Sequence, residues 1–296
     1  MECRIDVRFF PAPPDLAGCF ATFYRAEFTV PDGGRVRDLL QPEWGNVRFF
    51  RGDCPDASSP TGDCVSGARF TATGPSMVSA HFELGTTRMW GIGFFPLGWA
   101  KFCRAPASEL ANRIVDGERH PAFAGFHRLS GELFGSKHDD ERECTRILAC
   151  VRSLNRELPD EERIMRVHAA LVDPAIGSVA DFADHAGVGR RTLERLCHRY
   201  FGFAPKQLLR RQRFMRSLAQ FMLEHGANWS DVLDVHYHDQ SQFVRDFRAF
   251  MGMSPREYAA REHPILAAFM RERARMWGNA AQTLDLPPPH RARPDR

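Results

Sequence analysis

SVADFADHAGVGRRTLERLCHRYFGFAP, Ser178 to Pro205, and WSDVLDVHYHDQSQFVRDFRAFMGMSP, Trp229 to Pro255, decide the fold of the second half of this chain. In the first stretch Ser178 is placed to cap a short helix whose inner face is Val179, Phe182, Ala183 and Ala186. Gly187 supplies the backbone freedom for a tight turn. A second helix starts near Arg190 and turns Leu193, Leu196, Cys197 and Phe201 inward. Gly202 ends it and Pro205 opens the next helix. The second stretch repeats the plan. Val232, Leu233, Val235 and Tyr237 form its first inner face, and Phe243, Phe247 and Phe250 its second. Gly252 and Pro255 close it. Between the two, Pro205–Glu224 reads as one helix with Leu208, Leu209, Met215, Leu218 and Met222 along it. Helix, short turn, helix is the grammar of a helix-turn-helix.

Outward from this core, the chain has 296 residues, 43% hydrophobic and 26% charged. That balance fits a soluble globular protein with room for two domains. No apolar run approaches the roughly 18 residues of a membrane span, and the start MECRIDVRFFPAPPDL has no secretory pattern. Eight cysteines without a Cys-x-x-Cys pair suit a reducing, cytoplasmic setting.

The first hundred residues read as strands. Gly18–Val30, Val36–Arg51, Ala68–Thr73, Val78–Leu84 and Arg88–Phe95 are rich in Phe, Val and Thr, with turn signals between them. The stretch Gly52–Gly67 reads as a polar loop. After Pro96, apolar residues recur at helical spacing: Leu110, Ile114 and Val115; Phe123, Phe126, Leu129, Leu133 and Phe134; Ile147, Leu148, Val151 and Leu154. The expected fold class is α+β: a β-rich barrel or sandwich with flanking helices, then an all-α domain. The expected organisation is a β-rich sensor or dimerisation domain over 1–136 and a helical linker over 137–173. A double helix-turn-helix over 174–263, a terminal helix over 264–282 and a disordered tail over 283–296 follow. The charged run Lys137–Glu143 is the expected boundary.

Of the 40 basic Lys and Arg residues, only Lys101, Lys137 and Lys206 are lysine. Arginine suits phosphate and guanine, and a GC-rich genome gives the same bias. Placement says more. Ala186–Arg213 carries eight basic residues (Arg190, Arg191, Arg195, Arg199, Lys206, Arg210, Arg211, Arg213) against Glu194 alone. Glu224–Glu262 carries four basic and seven acidic residues. The first patch is an electrostatic footprint for a polyanion.

RRTLERLCHRYFGFAP in one unit and YHDQSQFVRDFRAFMGMSPREY in the other resemble the AraC/XylS transcription regulators over roughly Ile164–His263. The resemblance implies that the second helix of each unit enters a major groove, with the two grooves one turn apart on one DNA face. Carried over by position, the first reading helix offers Arg190, Arg191, Thr192, Glu194 and Arg195; the second offers Gln240, Ser241, Gln242 and Arg245. Arginine grips guanine O6 and N7, Glu accepts from cytosine N4, and Gln suits adenine. Arg195, between inward Leu193 and Leu196, is expected to face a base. The second unit departs from the family: Val232 replaces a small residue, and His236 stands where the turn glycine belongs. Asp234 and Asp239 are expected to face solvent near the duplex, and the second unit to be the weaker contact. A looser resemblance over about Phe9–Phe134 is to the cupin-like sensor region ahead of some AraC-type DNA-binding domains.

The implied protein is not an enzyme and needs no cofactor or metal. It is a sequence-specific DNA-binding transcription regulator, with activation as one sign of action, whose amino-terminal domain senses a small molecule or dimerises. Double-stranded DNA, a small-molecule effector, a second copy of the chain and RNA polymerase are the candidate partners; a membrane is not. Trp44, Trp90 and Trp99 are candidate walls of an apolar ligand cavity, or core. His81 and Glu83 share a strand face as two conceivable metal ligands, with no third in sight. His236 and His238 fall on a turn. The rivals are a cupin-type metal enzyme with a helical appendage, and an interaction protein that has kept the fold and lost DNA binding.

Overall fold

The computed structural model describes residues 3–223, 229–278 and 281–288. Its first part is built from β1 (Arg4–Phe9), β2 (Phe20–Thr29), β3 (Val36–Leu40), β4 (Asn46–Gly52), β5 (Asp56–Ser58), β6 (Cys64–Ser66), β7 (Phe70–Thr73), β8 (Ala80–Leu84), β9 (Thr87–Phe94) and β10 (Ile114–Asp116). These strands form two antiparallel sheets, ordered β1-β2-β9-β4-β7-β10 and β3-β8-β5-β6. Helices α1 (Pro96–Phe102), α2 (His127–Glu132) and α3 (Asp140–Leu154) belong to the same domain.

Both faces of the larger sheet are buried. One face presents Phe23, Phe49 and Trp90. It packs on the turn Pro121–Phe126, where Phe126 meets Phe49, and on α3, where Glu143 accepts from the Trp90 indole at 2.6 Å. The other face presents Phe28, Phe50 and Met89 toward the smaller sheet and a helix from the far end of the chain.

Three expectations differ from the structure. The run 36–51 is two strands in different sheets, because the segment from Gln41 to Gly45 breaks it. Ile114 and Val115 pair with Thr73 and Ala72 on β7 and are not helical. The polar loop 52–67 contains β5 and β6, a three-residue ladder on the smaller sheet. The charged run 137–143 is not a free boundary either. Glu143 is fully buried, and it accepts from Arg88 Nη2 at 2.6 Å as well as from Trp90. Asp140 accepts from the same guanidinium at 2.6 Å. α3 therefore docks on the sheet as part of the first domain instead of linking it to the second.

The helical part follows: α4 (Glu161–Val172), α5 (Val179–Ala186), α6 (Arg190–Leu196), α7 (Pro205–Leu223), α8 (Gln240–Met251), α9 (Pro255–Ala259) and α10 (Pro264–Trp277). One buried cluster runs from Trp44 and Phe94 of the first domain through Leu171 of α4 to Leu193, Phe214 and Phe247. The two domains thus share a core. The tail also packs where disorder was expected: Gln282–Leu284 forms a turn and Thr283 is fully buried. Residues 289–296, the remainder of that expected tail, and Glu224 at the end of the expected connecting helix lie outside the described residues. Among the described residues no helix is long and apolar enough to cross a membrane.

Candidate nucleic-acid interface and sensor cavity

α5 begins where Ser178 Oγ accepts from the Asp181 amide at 3.1 Å, and ends at Gly187 with φ of 63°. That positive φ favours glycine and turns the chain into α6. Leu193 and Leu196 are buried beneath α6, while Arg190, Arg191, Glu194 and Arg195 are exposed and Thr192 is half-buried. Arg195 is not wholly free: its Nη1 lies 3.4 Å from Asp160 Oδ2 at the start of α4, beside Tyr200.

α8 begins where Asp239 accepts from the Gln242 amide at 2.6 Å. Phe243 and Phe247 are buried below it; Gln240, Ser241 and Arg245 are exposed. Gln242 is half-buried and its Oε1 accepts from the His238 amide at 3.2 Å, so it serves the cap as well as the surface. The first helix of this unit is one described turn, Trp229–Val232. His236 does not adopt the left-handed backbone expected at the family's glycine position. Its ring lies 2.7 Å from the Pro174 carbonyl, so it ties the second unit to the entry of the first.

α7 anchors α8 through one carboxylate. The Asp246 carboxylate, buried under α8, accepts from Arg210 Nε at 2.6 Å, Arg213 Nη2 at 3.0 Å and the Tyr237 hydroxyl at 3.1 Å. Asp234 pairs with Arg216 and is buried, so it does not face solvent as expected. These pairs correct the charge count. Arg210 and Arg213 are neutralised internally and Arg211 is fully buried. Among the described residues, Arg190, Arg191 and Lys206 carry no ion pair. The acidic second unit uses its buried carboxylates on the connecting helix, and the contrast between the two surfaces is smaller than the sequence count implies.

Several contacts hold the two-sheet domain against the helical part. The Arg211 guanidinium lies 4.0 Å from the Trp44 ring centre and its Nη1 donates to the Ser76 carbonyl at 3.2 Å. Its Nε and Nη2 have no hydrogen-bond partner, and burial pushes its pKa down to about 9. Ser79 donates to the Phe250 and Met251 carbonyls at the end of α8. Asp38 of β3 accepts the Ile265 and Leu266 amides at 2.8 Å each, capping α10 from the sensor domain.

A cavity of about 150 Å³ lies between the two sheets and α10. Trp44, Trp90 and Trp99 do not line it. Trp44 is covered by Arg211, Trp90 is sealed under α3 by Glu143, and the Trp99 indole donates to the Ala105 carbonyl at 2.9 Å. All three are core. The walls are Phe, Leu and Met side chains of the facing sheets together with Phe269 of α10, and the polar end includes Arg48, Glu43 and Gln282. No signal in the sequence joins α10 to this cavity, because its partners on the two sheets lie in the first half of the chain. Among the described residues, no three His, Cys, Asp or Glu side chains are grouped to hold a metal. Glu83, beside His81, accepts from Arg37 at 2.6 Å.

Two exposed helices, α6 and α8, each seated behind a short turn and joined by one helix, give the carboxyl-terminal part the build of a double helix-turn-helix. Residues 182–261 match the family described as a helix-turn-helix domain. YkgA of Escherichia coli (strain K12), which carries the name of an HTH-type transcriptional regulator, is 29% identical over 90 residues. That match takes in 30% of this chain and 38% of the relative. ToxT from Vibrio cholerae is similar over 87% of this chain and 98% of its own, at 10% identity and a TM-score of 0.43. The AraC-like transcriptional activator CuxR is similar over 78% and 90%, at 15% identity and a TM-score of 0.24. The domain assignment rests on residues 182–261 and not on these overall likenesses.

Proposed function

We propose that the chain is a sequence-specific DNA-binding transcription regulator of the one-component kind. The observation that carries this reading is the pair of exposed helix faces on α6 and α8, with α8 tied to the connecting helix by Asp246. In this reading Arg190, Arg191, Thr192, Glu194 and Arg195 enter one major groove. Gln240, Ser241, Gln242 and Arg245 enter the next. The two-sheet domain takes a small-molecule effector in the cavity against α10 or pairs with a second copy of the chain. RNA polymerase is the partner through which an activator of this kind acts. The regulator reading is favoured over an enzyme because Arg190 and Arg191, exposed and without an ion pair, lie on α6.

The salt dependence of DNA binding tests it. Each neutralised phosphate contributes about 0.9 to the slope of log K against log salt. Replacing Arg190 and Arg191 together by alanine should flatten the slope by about 2. Fluorescence anisotropy with a duplex at several salt concentrations reads this. An unchanged slope would remove α6 from the interface.

A further inference from the structure

Along the chain, the two helix-turn-helix units are joined by α7. The second unit is built onto that helix: Phe243, Phe247 and Phe250 pack on Phe214, and Asp246 bonds to Arg210 and Arg213. One helix between two bodies is a rod, and long helices bend. A second connection, outside α7, decides how firmly the two units keep one relative position.

The turn before α8 supplies that connection. On one side it is bonded to α7. The Asp234 amide donates to Ser217 Oγ at 2.9 Å, the Asp234 carboxylate pairs with Arg216, and its Oδ1 accepts the His236 amide at 3.0 Å. On the other side it reaches the first unit directly. His236 Nε2 lies 2.7 Å from the Pro174 carbonyl oxygen, across 62 positions of sequence. With the ring proton on Nε2, this is a short donated hydrogen bond. The loop that presents the carbonyl is itself held. Asp173 accepts the Ala175 amide at 2.9 Å through Oδ1 and the Ile176 amide at 3.2 Å through its carbonyl, and Ile176 is buried. The loop ends at Ser178, which caps α5, and α5 turns at Gly187 toward α6.

Gly177 shows that the ring is seated. A carbon added there would lie 2.8 Å from His236 Nδ1 and 2.9 Å from its Cε1, closer than packing allows. The backbone does not ask for glycine at this position, because its φ lies outside the left-handed region. The ring asks for it.

We propose that His236, seated on Gly177 and bonded to Pro174, is the positioning residue that fixes the spacing between the two blocks of DNA met by α6 and α8. The role rests on the regulator reading given above and adds what sets the geometry of the bound site. One base pair added or removed between the blocks shifts the second by about 3.4 Å and turns it by about 35°. With the tie in place the units cannot follow that shift. Without it the second unit moves with the bending of α7. One hydrogen bond biases such an equilibrium by about fivefold.

The test uses the full chain and a duplex that it enriches from a random library, beside the same duplex with one base pair added or removed between its blocks. The wild type should lose about tenfold or more in affinity on either altered duplex. His236→Ala should shrink that penalty about fivefold. Single base changes inside the second block should cost both proteins the same. Gly177→Ala leaves the histidine and removes its seat, so it should act like His236→Ala. His236→Gln keeps a donor of similar reach and should keep most of the penalty. Nitrogen NMR of the ring reads the seat without DNA: Nε2 carries the proton in the wild type, and Gly177→Ala moves the signal. A wild type indifferent to spacing, a penalty unchanged in both alanine variants, or a ring signal unmoved by Gly177→Ala would overturn the proposal. So would base discrimination in the second block lost together with the penalty, since His236 would then only support the fold of its unit. A chain that enriches no duplex loses the regulator reading, and the spacing role falls with it. A two-block duplex bound equally at every spacing overturns the role of His236 alone.

Discussion

His168 of α4 is fully buried, with its ring 5.6 Å from that of Trp44 and 4.8 Å from that of Phe95. Burial first, and then the charge of Arg211, pushes its pKa down to about 3. The unfolded chain takes up a proton near the ordinary value of 6.5 and the folded chain does not. Stability is therefore fully present above about pH 6.5 and is lost as pH falls toward 3, at about 1.4 kcal/mol per pH unit. Between pH 7.5 and pH 5 this group should cost about 2 kcal/mol. Urea midpoints at the two pH values should fall further for the wild type than for His168→Gln; equal falls would contradict the assignment. Arg211, beside it, is a buried cation without a carboxylate. Replacing such a cation with an apolar side chain is often stabilising, so Arg211→Met should raise the unfolding free energy by about 1 kcal/mol. A loss would mean that the Trp44 contact outweighs the desolvation. Neither residue was legible as an interface group in the sequence. Arg211 counted there as one more cation of a DNA patch, because a count of charges cannot tell which side of a helix faces the core.

Helices α6 and α8 were legible as elements. Local chemistry marks the ends of these units: Ser178 and Gly187 bound α5, Asp239 and Gly252 bound α8, and α6 starts at Gly189 without a side-chain cap. Phe243, Phe247, Leu193 and Leu196 fall inward by helical spacing alone. What failed were elements whose partners are distant in sequence. Ile114 and Val115 fit a helical period, yet they complete the edge of a sheet begun many residues earlier. The break near Pro42 was hidden inside an apolar run, and α3 was read as a linker because its docking residues, Asp140 and Glu143, are charged. The Asp246 junction between α7 and α8 belongs to this scale. Removing it leaves Arg210 and Arg213 without their carboxylate, so Asp246→Ala should cost about 3–5 kcal/mol. Thermal unfolding reads the loss. A change below about 1 kcal/mol would mean that aromatic packing, and not this junction, orients α8.

At the scale of the molecule, the two-sheet domain, both helix-turn-helix units and the terminal helix form one continuous set of contacts. The shared buried cluster, the Asp38 cap on α10 and the Ser79 bonds to the end of α8 each join domains that the sequence suggested were separate. The charge asymmetry read from the sequence narrows, since two carboxylates of the second unit, Asp234 and Asp246, lie on arginines of α7. If both units read bases as proposed, both should leave a mark on the sequence bound. Selection of duplexes from a random library with the full chain measures this directly. The expected site has two base-specific blocks centred about 10 base pairs apart, unlike each other because α6 and α8 present different side chains. A single block would leave one unit without a reading role, and no enrichment over random sequence would contradict the assignment of this chain as a sequence-specific DNA-binding protein.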